Sequence, residues 1–335
     1  MTATSQKILS PEEIAVRAGE QLTFLHLPEP GVFAERALRL RALAAGHAMG
    51  DFLRFVAELA DAQHRALSAR VAVPLPTPEQ IDAAARAGQP LLPALHWPRA
   101  PVWRDSLRTM LTDLASHLAE GPARAAARQL AAASDEHLET QAGRLLSGVM
   151  LGLDLASAPL IAAGLQLHFV RLVQQTAAVQ AGAPVAPFGR IDDPTACPCC
   201  GSPPVASVER LGAEGARYLA CGLCATQWHY VRIKCAHCQS TKGISLQSLV
   251  AHDAQDTGTA AAVQAECCSE CGHYLKLMHP ARDNGLEPVA DDLATLTLDL
   301  LVGNPDDGPG LQRHGVNLLL LFGEADEPPP PGRGH

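Results

Sequence analysis

The sequence predicts an α+β protein, with an all-helical N-terminal domain, two small cysteine-rich β modules and a C-terminal helix. Three observations support this fold class. Alanine and leucine dominate the first half of the 335-residue chain, and aromatic residues make up only 4% of the whole. All ten cysteines lie between Cys197 and Cys271. After them, an apolar helical stripe returns over residues 287–302.

Residues 1–185 are expected to form the helical domain. Ser10 and Thr77 each precede a proline, and Glu or Gln stands at the third helical position, which is a typical helix start. Helical periodicity between these two starts extends over residues 32–70. Further helices are predicted over residues 102–118, 135–153 and 159–181.

The most apolar stretch, residues 145–167, has the length of a membrane span. It contains Asp154 near its centre and is interrupted by Pro159, so a pair of buried helices fits better. The N-terminus lacks the charged region, apolar core and cleavage site of an export signal. The sequence therefore predicts a cytoplasmic protein without a membrane span.

A proline-rich linker over residues 183–194 marks the end of the helical domain. Short β-like segments separate the cysteines that follow. The predicted divisions are a first module at 195–233, a second at 234–280, a C-terminal helical segment at 286–323 and a disordered tail at 324–335.

Eight of the ten cysteines form four Cys-x-x-Cys pairs, which we call knuckles. Two residues between the thiols let a tight turn direct both sulfurs at one ion, and a second knuckle completes a tetrahedron for zinc or iron. Pairing in sequence order gives two groups, and a cross-braced pairing is the alternative. The first group is Cys197, Cys200, Cys221 and Cys224; the second is Cys235, Cys238, Cys268 and Cys271.

Two other uses of these cysteines fit less well. Disulfides are rare in cytoplasmic proteins, and a redox-active Cys-x-x-Cys usually occurs once, in a thioredoxin-like setting. Cys199 and Cys267 are left over, either as buried apolar residues, as reactive thiols, or as ligands if the register is different. Gly201, Gly222 and Gly272 stand where tight turns favour glycine.

Histidines accompany three of the four knuckles: His229 follows the second, His237 lies inside the third, and His273 follows the fourth. Eight cysteines already complete two tetrahedral sites, so these imidazoles are expected around the ligands or at the surface. Replacement of a cysteine ligand by histidine at either site is the alternative.

Charge and motifs exclude some classes of function. The chain has a formal net charge of −9 and a sequence pI of about 5.8, and acidic and basic residues balance between Cys197 and Lys276, which disfavours binding to nucleic acid. Asp291 and Asp292 are adjacent, so in a helix they point about 100° apart and suit two solvated carboxylates better than a catalytic pair. Four-thiolate sites also lack an open position for a substrate. The sequence therefore predicts that the protein is not an enzyme.

Several segments resemble the FdhE family, the formate dehydrogenase accessory proteins of bacteria. They are CPCCGSPPVAS at 197–207, RYLACGLC at 217–224, WHYVRIKCAHC at 228–238, AECCSEC at 265–271 and ADDLATL at 290–296. In the N-terminal half, LHLPEP at 25–30 and AGHAMGDF at 45–52 are similar but less specific. Gln227 departs from the pattern, in which a glutamate precedes the Trp-His pair, and this puts any role of that carboxylate in doubt.

The resemblance implies two rubredoxin-like (zinc-ribbon-like) metal modules after the helical domain. It implies two iron ions, although spacing alone would favour zinc. It further implies a cytoplasmic protein that binds the catalytic subunit of respiratory formate dehydrogenase and supports its maturation. A zinc-ribbon protein that binds nucleic acid and a rubredoxin-like electron-transfer module are the alternative functions.

Overall fold

The protein is described here from a computed structural model, which covers residues 23–210, 216–249, 261–304 and 310–320. The predicted helix start at Ser10 and the predicted disordered tail at 324–335 lie outside these residues. Within them, helices occupy the N-terminal part and strands occupy the cysteine region.

Seven helices are described before the cysteine region. They are α1 (Val32–Leu43), α2 (Gly50–Ser68), α3 (Pro78–Arg86), α4 (Val102–His117), α5 (Pro122–Ala131), α6 (Asp135–Ser147) and α7 (Ala158–Val179). Thr77 caps α3 as predicted, with the reciprocal hydrogen bonds to Gln80 present. The sequence did not predict α5, in which only Ala127 and Leu130 are buried.

The apolar stretch at 145–167 is divided between two helices. Helix α6 ends at Ser147, a turn follows that exposes Asp154, and α7 begins at Ala158 with Pro159 in its first turn. Helix α7 is buried along most of its length because it packs against α2, α4 and α6. No helix among the described residues has the length and apolar character that a membrane crossing requires.

The N-terminal region is not entirely helical, which corrects the expectation. Strand β1 (Leu25–His26) pairs antiparallel with strand β4 (Gln227–Tyr230) of the cysteine region, and the His229 amide also donates to the Phe24 carbonyl. Two residues are too short for any periodic signal, and their strand exists because β4 offers a free edge.

One continuous sheet contains both cysteine hairpins. The first half has β2 (Pro204–Arg210), β3 (Ala216–Cys221) and β4; the second has β5 (Ile244–Gln247), β6 (Val263–Cys268) and β7 (His273–Met278). Parallel pairing of β2 with β7 joins the halves, placing Ser207 opposite Leu277. The buried Arg217 side chain strengthens this junction, since it donates to Ser207 Oγ and to Glu266 at 2.8 Å each.

Less of the C-terminal segment is helical than predicted. Helices α8 (Pro288–Ala294) and α9 (Leu296–Gly303) are separated at Thr295, and strand β8 (Gln312–Arg313) then pairs with β7. The Thr295 hydroxyl donates to the Asp291 carbonyl, so a local side-chain bond accompanies the break. The predicted helical segment at 286–323 is therefore part helix and part strand.

The expectation that Asp291 and Asp292 are solvated was wrong. Their exposed fractions are 2% and 0%, because each carboxylate meets basic groups on a different element. Asp291 accepts from Arg39 of α1 at 2.9 Å, whereas Asp292 lies 3.2 Å from Lys276 Nζ and contacts Arg313. These ion pairs attach the C-terminal segment to both the helical domain and the sheet.

His168, in the middle of α7, makes the stability of the fold sensitive to acid. Its side chain is 1% exposed, and neither ring nitrogen has a hydrogen-bond partner among the described residues. Burial, assisted by the charge of Arg171, lowers its pKa from 6.5 to about 4. Below pH 6.5 the unfolded chain therefore binds more protons than the folded chain, and acid favours unfolding.

We expect stability that is fully present above pH 6.5 to decline by about 3 kcal/mol as the pH falls to about 4. Denaturant unfolding at a series of pH values would show this loss in the unsubstituted protein and a flatter profile in His168→Leu. Metal loss in acid affects both proteins, so the difference between their slopes isolates His168. Equal slopes would contradict the prediction.

Candidate metal centres

The first knuckle pair brings four sulfurs together between the helical domain and β3. The Sγ atoms of Cys197, Cys200, Cys221 and Cys224 all lie within 4.8 Å of one another. Cys197 Sγ is 3.5 Å from Cys224 Sγ, and Cys200 Sγ is 3.5 Å from Cys221 Sγ. A disulfide has a sulfur–sulfur distance of about 2.05 Å, so these are free thiols.

The second knuckle pair forms a matching group between the hairpin turns of the other half-sheet. Cys235, Cys238, Cys268 and Cys271 also have their Sγ atoms within 4.8 Å. The distance from Cys235 Sγ to Cys271 Sγ is 3.8 Å, and that from Cys238 Sγ to Cys268 Sγ is 3.8 Å. A tetrahedral ion with metal–sulfur bonds of about 2.3 Å needs edges of about 3.8 Å. Both groups therefore have the size that an ion bound by four thiolates requires. The structure brings the first knuckle to the second and the third to the fourth, which is pairing in sequence order.

Local backbone geometry gives the knuckles a common shape. The fourth residue after each leading cysteine has a positive φ: Gly201 (75°), Ala225 (58°), Gln239 (60°) and Gly272 (70°). The sequence pointed to Gly201 and Gly272, but glycine gave no signal at the other two turns, where alanine and glutamine adopt the left-handed conformation. Gly222 has a different role, because a Cβ there would lie 3.2 Å from Val205 Cβ.

Backbone amides around the first group point at sulfur. The amides of Leu223 and Cys224 each donate to Cys221 Sγ at 3.4 Å, which favours the thiolate form. Burial acts in the opposite direction and raises the pKa of Cys197 and of Cys221 well above that of an ordinary thiol. A cation that ligates these sulfurs removes the conflict, because it binds the deprotonated form.

The two groups differ in their access to solvent. All four cysteines of the first group are at most 2% exposed, and helical-domain residues cover them. The amides of Leu92 and Ala94 donate to the carbonyls of Cys199 and Cys200 at 2.9 Å, and Gln166 of α7 donates to the Gly222 carbonyl at 2.7 Å. In the second group, Cys238 is exposed and Cys271 is partly exposed.

The two remaining cysteines lie outside both groups. Cys199 is fully buried, with its Sγ 3.4 Å from Thr226 Oγ1, and Cys267 is 3% exposed within β6. Burial raises the pKa of Cys267 to about 11, which disfavours a reactive thiolate. Of the three roles considered for Cys199 and Cys267, that of a buried apolar residue fits both.

The three histidines occupy different surroundings. The rings of His237 and His273 stack with centroids 3.8 Å apart beside the second group. His229 instead packs edge-on against Tyr218 on the sheet, with centroids 5.6 Å apart. The sequence did not single out His314, which directly follows β8 and lies far along the chain from the third knuckle. Its ring centroid is 4.9 Å from that of His237. Gln227 accepts a hydrogen bond from Arg210 at 3.2 Å, so the amide supports that side chain.

Comparisons with known proteins cover almost the entire chain. Three family models match: "FdhE, N-terminal" over residues 22–183, "FdhE, central domain" over 196–232 and "FdhE, C-terminal domain" over 233–320. An FdhE homolog of Cronobacter sakazakii (strain ATCC BAA-894) is 36% identical over 296 residues, which cover 88% of this chain and 90% of the homolog.

Two further similarities extend over more of the relatives' own length. An FdhE homolog of Serratia proteamaculans (strain 568) is 35% identical over 326 residues, or 95% of this chain and 99% of that protein. The crystal structure of the FdhE protein from Pseudomonas aeruginosa is similar with a TM-score of 0.73 and 34% identity, covering 89% of this chain and 99% of that one.

Proposed function

The chain belongs to the FdhE family, and from this membership we propose that it is a metal-binding accessory protein for respiratory formate dehydrogenase. FdhE is a family of accessory proteins, not of catalytic enzymes. In the proposal, the protein binds the catalytic subunit of formate dehydrogenase in the cytoplasm and supports its maturation without oxidising formate itself. The observation that carries it is the pair of four-cysteine groups in a chain that matches the family over nearly its entire length.

The proposed ligands are the eight cysteines of the two groups, each group holding one ion. Residues 195–233 and 234–280 would then be two rubredoxin-like modules that follow a helical domain at 1–185. The family models meet at residues 232/233, which supports a division between the two modules there, although the C-terminal model continues to residue 320. The 3.5–3.8 Å sulfur separations support tetrahedral coordination. Iron or zinc bound at these sulfurs would hold the hairpins together, and iron would also supply a one-electron couple.

We propose iron as the metal, because the resemblance to the family implies it. Zinc is the alternative, because four thiolates suit both ions. Metal analysis and visible spectroscopy of protein prepared without oxygen would separate coloured ferric or reoxidised iron from colourless zinc. Two zinc ions per chain would contradict the assignment of iron while leaving the ligand sets in place.

Two alternative functions gain little from the structure. A nucleic-acid-binding ribbon needs a basic surface. In the cysteine region Arg217 and Lys276 are each 1% exposed and paired with carboxylates, and the exposed Arg232 also faces a carboxylate, that of Glu209. An electron-transfer module needs a metal near the surface, and only the second group has exposed cysteine. Neither alternative accounts for the match to an accessory-protein family.

We expect the protein to retain the formate dehydrogenase catalytic subunit of its own organism in a pull-down from cell extract. Cys235→Ser/Cys271→Ser should weaken this retention if the second metal module contributes to it, whereas Cys267→Ala, outside both groups, should not. Deletion of the gene should lower formate dehydrogenase activity. No association, together with normal activity in the deletion strain, would refute the proposal.

A further inference from the structure

A cavity of about 400 Å³ lies on one face of the sheet, where the two half-sheets meet. Residues directly opposite one another on paired strands share a face. The lining residues that share this face across β5, β6, β7, β2 and β3 are Leu246, Glu266, Gln264, Leu277, Glu209 and Arg217. Val208, which points to the other face, instead borders a groove with residues of α1. The cavity is therefore on the side of the sheet turned away from α1.

A histidine beside this cavity carries a positive charge. His279 directly follows β7 and is 6% exposed. Its Nδ1 is 2.8 Å from Glu209 Oε2, and its Nε2 is 2.8 Å from Gln264 Oε1. The Gln264 atom is the oxygen, because Arg282, which can only donate, also reaches it at 3.2 Å. Both imidazole nitrogens therefore donate, one to a carboxylate and one to an amide oxygen, so His279 is an imidazolium.

Positive charge exceeds negative charge around the cavity. Arg217 and Glu266 pair at 2.8 Å and neutralise each other. The other charged lining residues are the cations Arg232, His279 and Arg282 and the carboxylate of Glu209. Three cations thus surround one carboxylate among the described lining residues, which leaves a surplus of two positive charges. The cavity therefore favours an anionic group.

Two guanidinium groups have N–H donors left for such an anion. A guanidinium has five N–H donors. Among the described residues, exposed Arg282 uses one terminal nitrogen, which donates to the Ala261 carbonyl and to Gln264. Arg232 is 63% exposed and approaches Glu209 Oε1 to 3.1 Å through one nitrogen. The remaining donors suit a carboxylate, which accepts from two N–H groups of one guanidinium at once.

Apolar side chains border the same cavity. Ile233 and Leu246 line it and are 66% and 51% exposed. Strand β5, which contains Leu246, lies at the end of the sheet and pairs with β6 alone among the described strands. Exposed apolar groups beside unused donors fit a protein segment, because a segment brings an acidic and an apolar side chain together. A nucleic acid would require a longer row of cations.

We propose that this cavity is the docking site for an acidic segment of the formate dehydrogenase catalytic subunit, in which an aspartate or glutamate adjoins an apolar residue. The carboxylate of the segment binds Arg282 and Arg232, and its apolar neighbour packs on Ile233 and Leu246. His279 supplies charge but no hydrogen bond, since both its nitrogens are occupied. The inference rests on the proposed function for the identity of the partner, and it adds the surface and the chemistry of the docked segment.

Affinities of metal-loaded, full-length variants for the purified catalytic subunit of the same organism would test the site. Arg282→Gln should weaken binding at least about tenfold, because it removes hydrogen bonds between charged groups. Arg282→Lys keeps the charge and should lose less. Leu246→Thr retains a strand-forming side chain and should weaken binding at least about threefold, since less apolar area is buried. Added salt should weaken binding of the unsubstituted protein more than that of Arg282→Gln.

The matched control is Arg128→Gln, which changes an arginine of α5 that is 57% exposed and should bind normally. Unchanged affinity in Arg282→Gln and Leu246→Thr would overturn the docking site while leaving the proposed function in place. No binding by the unsubstituted protein would overturn the proposed function and the docking site together. Self-association of the chain that Arg282→Gln abolishes, with unchanged affinity for the catalytic subunit, would assign the cavity to a second copy instead.

Discussion

Cys197→Ser is expected to unfold the cysteine region and to destabilise the helical domain, whereas Cys238→Ser leaves the helical domain folded. Cys197 is fully buried, and its knuckle is bonded to the helical domain through the amides of Leu92 and Ala94. A structural zinc ion contributes about 10–16 kcal/mol in small modules. That is comparable to the typical total stability of a domain, about 5–15 kcal/mol. Loss of the first ion therefore removes free energy of the same size as the net stability of the surrounding fold.

The second group offers a weaker connection to the rest of the molecule. Cys238 is exposed, and its knuckle lies at the far half of the sheet, joined to the first half through β2 and β7. We expect Cys238→Ser to lose one ion and to loosen the turns around β5 and β6 only. The difference between the two variants follows from burial, since both remove one thiolate from a four-thiolate site.

Helical circular dichroism, metal content and limited proteolysis would measure this difference. Cys238→Ser should retain one ion per chain and the helical signal, with new cleavage confined to the second module. Cys197→Ser should be poorly soluble or show a reduced helical signal. Cys199→Ala serves as the control for burial, because it changes an adjacent buried cysteine outside the groups. Equal helical signals and equal cleavage patterns for the two serine variants would contradict the expected asymmetry.

Much of the candidate metal chemistry was predictable because its signal is local. Two residues between cysteines define a knuckle without any knowledge of the fold, and the order of pairing follows from distance along the chain. The left-handed turns at Ala225 and Gln239 were not predicted, because neither residue is a glycine; hydrogen bonds within the knuckle, such as that from the Gln239 amide to the Cys235 carbonyl, accompany the turn. His314 was missed for a different reason, since only the pairing of β8 with β7 brings it to the second group.

Long-range pairing also explains the errors in the fold. Helix periodicity located α4 and α7 within a few residues, but a two-residue strand such as β1 has no period to detect. Joining of the two hairpins depends on the parallel register of β2 with β7 and on the buried Arg217–Glu266 pair. Asp291 and Asp292 were interpreted as solvated because a helix N-terminus favours carboxylates in water, and their partners lie up to 252 residues away.

Asp292→Ala is expected to destabilise the protein by about 3–5 kcal/mol, because it leaves buried positive charge without a partner. Asp292 and Lys276 are 0% exposed at their side chains, and Arg313 contacts the same carboxylate. Asn317 donates to Asp292 Oδ2 at 2.9 Å, so an amide also loses its acceptor. Although burial favours the neutral acid, the charges of Arg313 and Lys276 hold the pKa of Asp292 below its ordinary value. The folded state therefore contains the carboxylate, and its removal is felt at neutral pH.

Denaturant unfolding of metal-loaded protein would measure the loss, with Glu58→Ala as the control for a surface ion pair. Glu58 accepts from Arg41 at 2.9 Å on the exposed side of the helices, and its removal should cost no more than about 1 kcal/mol. A loss below 1 kcal/mol for Asp292→Ala would contradict the prediction.

Replacing both Lys276 and Asp292 separates the attraction between the two charges from the cost of leaving one buried charge unpaired. In Lys276→Met/Asp292→Leu the lysine cation is gone, and Arg313 retains Asp299, which lies 3.5 Å from its guanidinium. Apolar replacement of a buried ion pair is often neutral or stabilising, so we expect the double variant to be more stable than Asp292→Ala by about 2 kcal/mol or more. A double variant as unstable as the sum of its single variants would show that the network acts through its bonds to Asn317 and Asp299. In that case the joint between α8, β7 and β8 would depend on hydrogen bonding and not on charge balance.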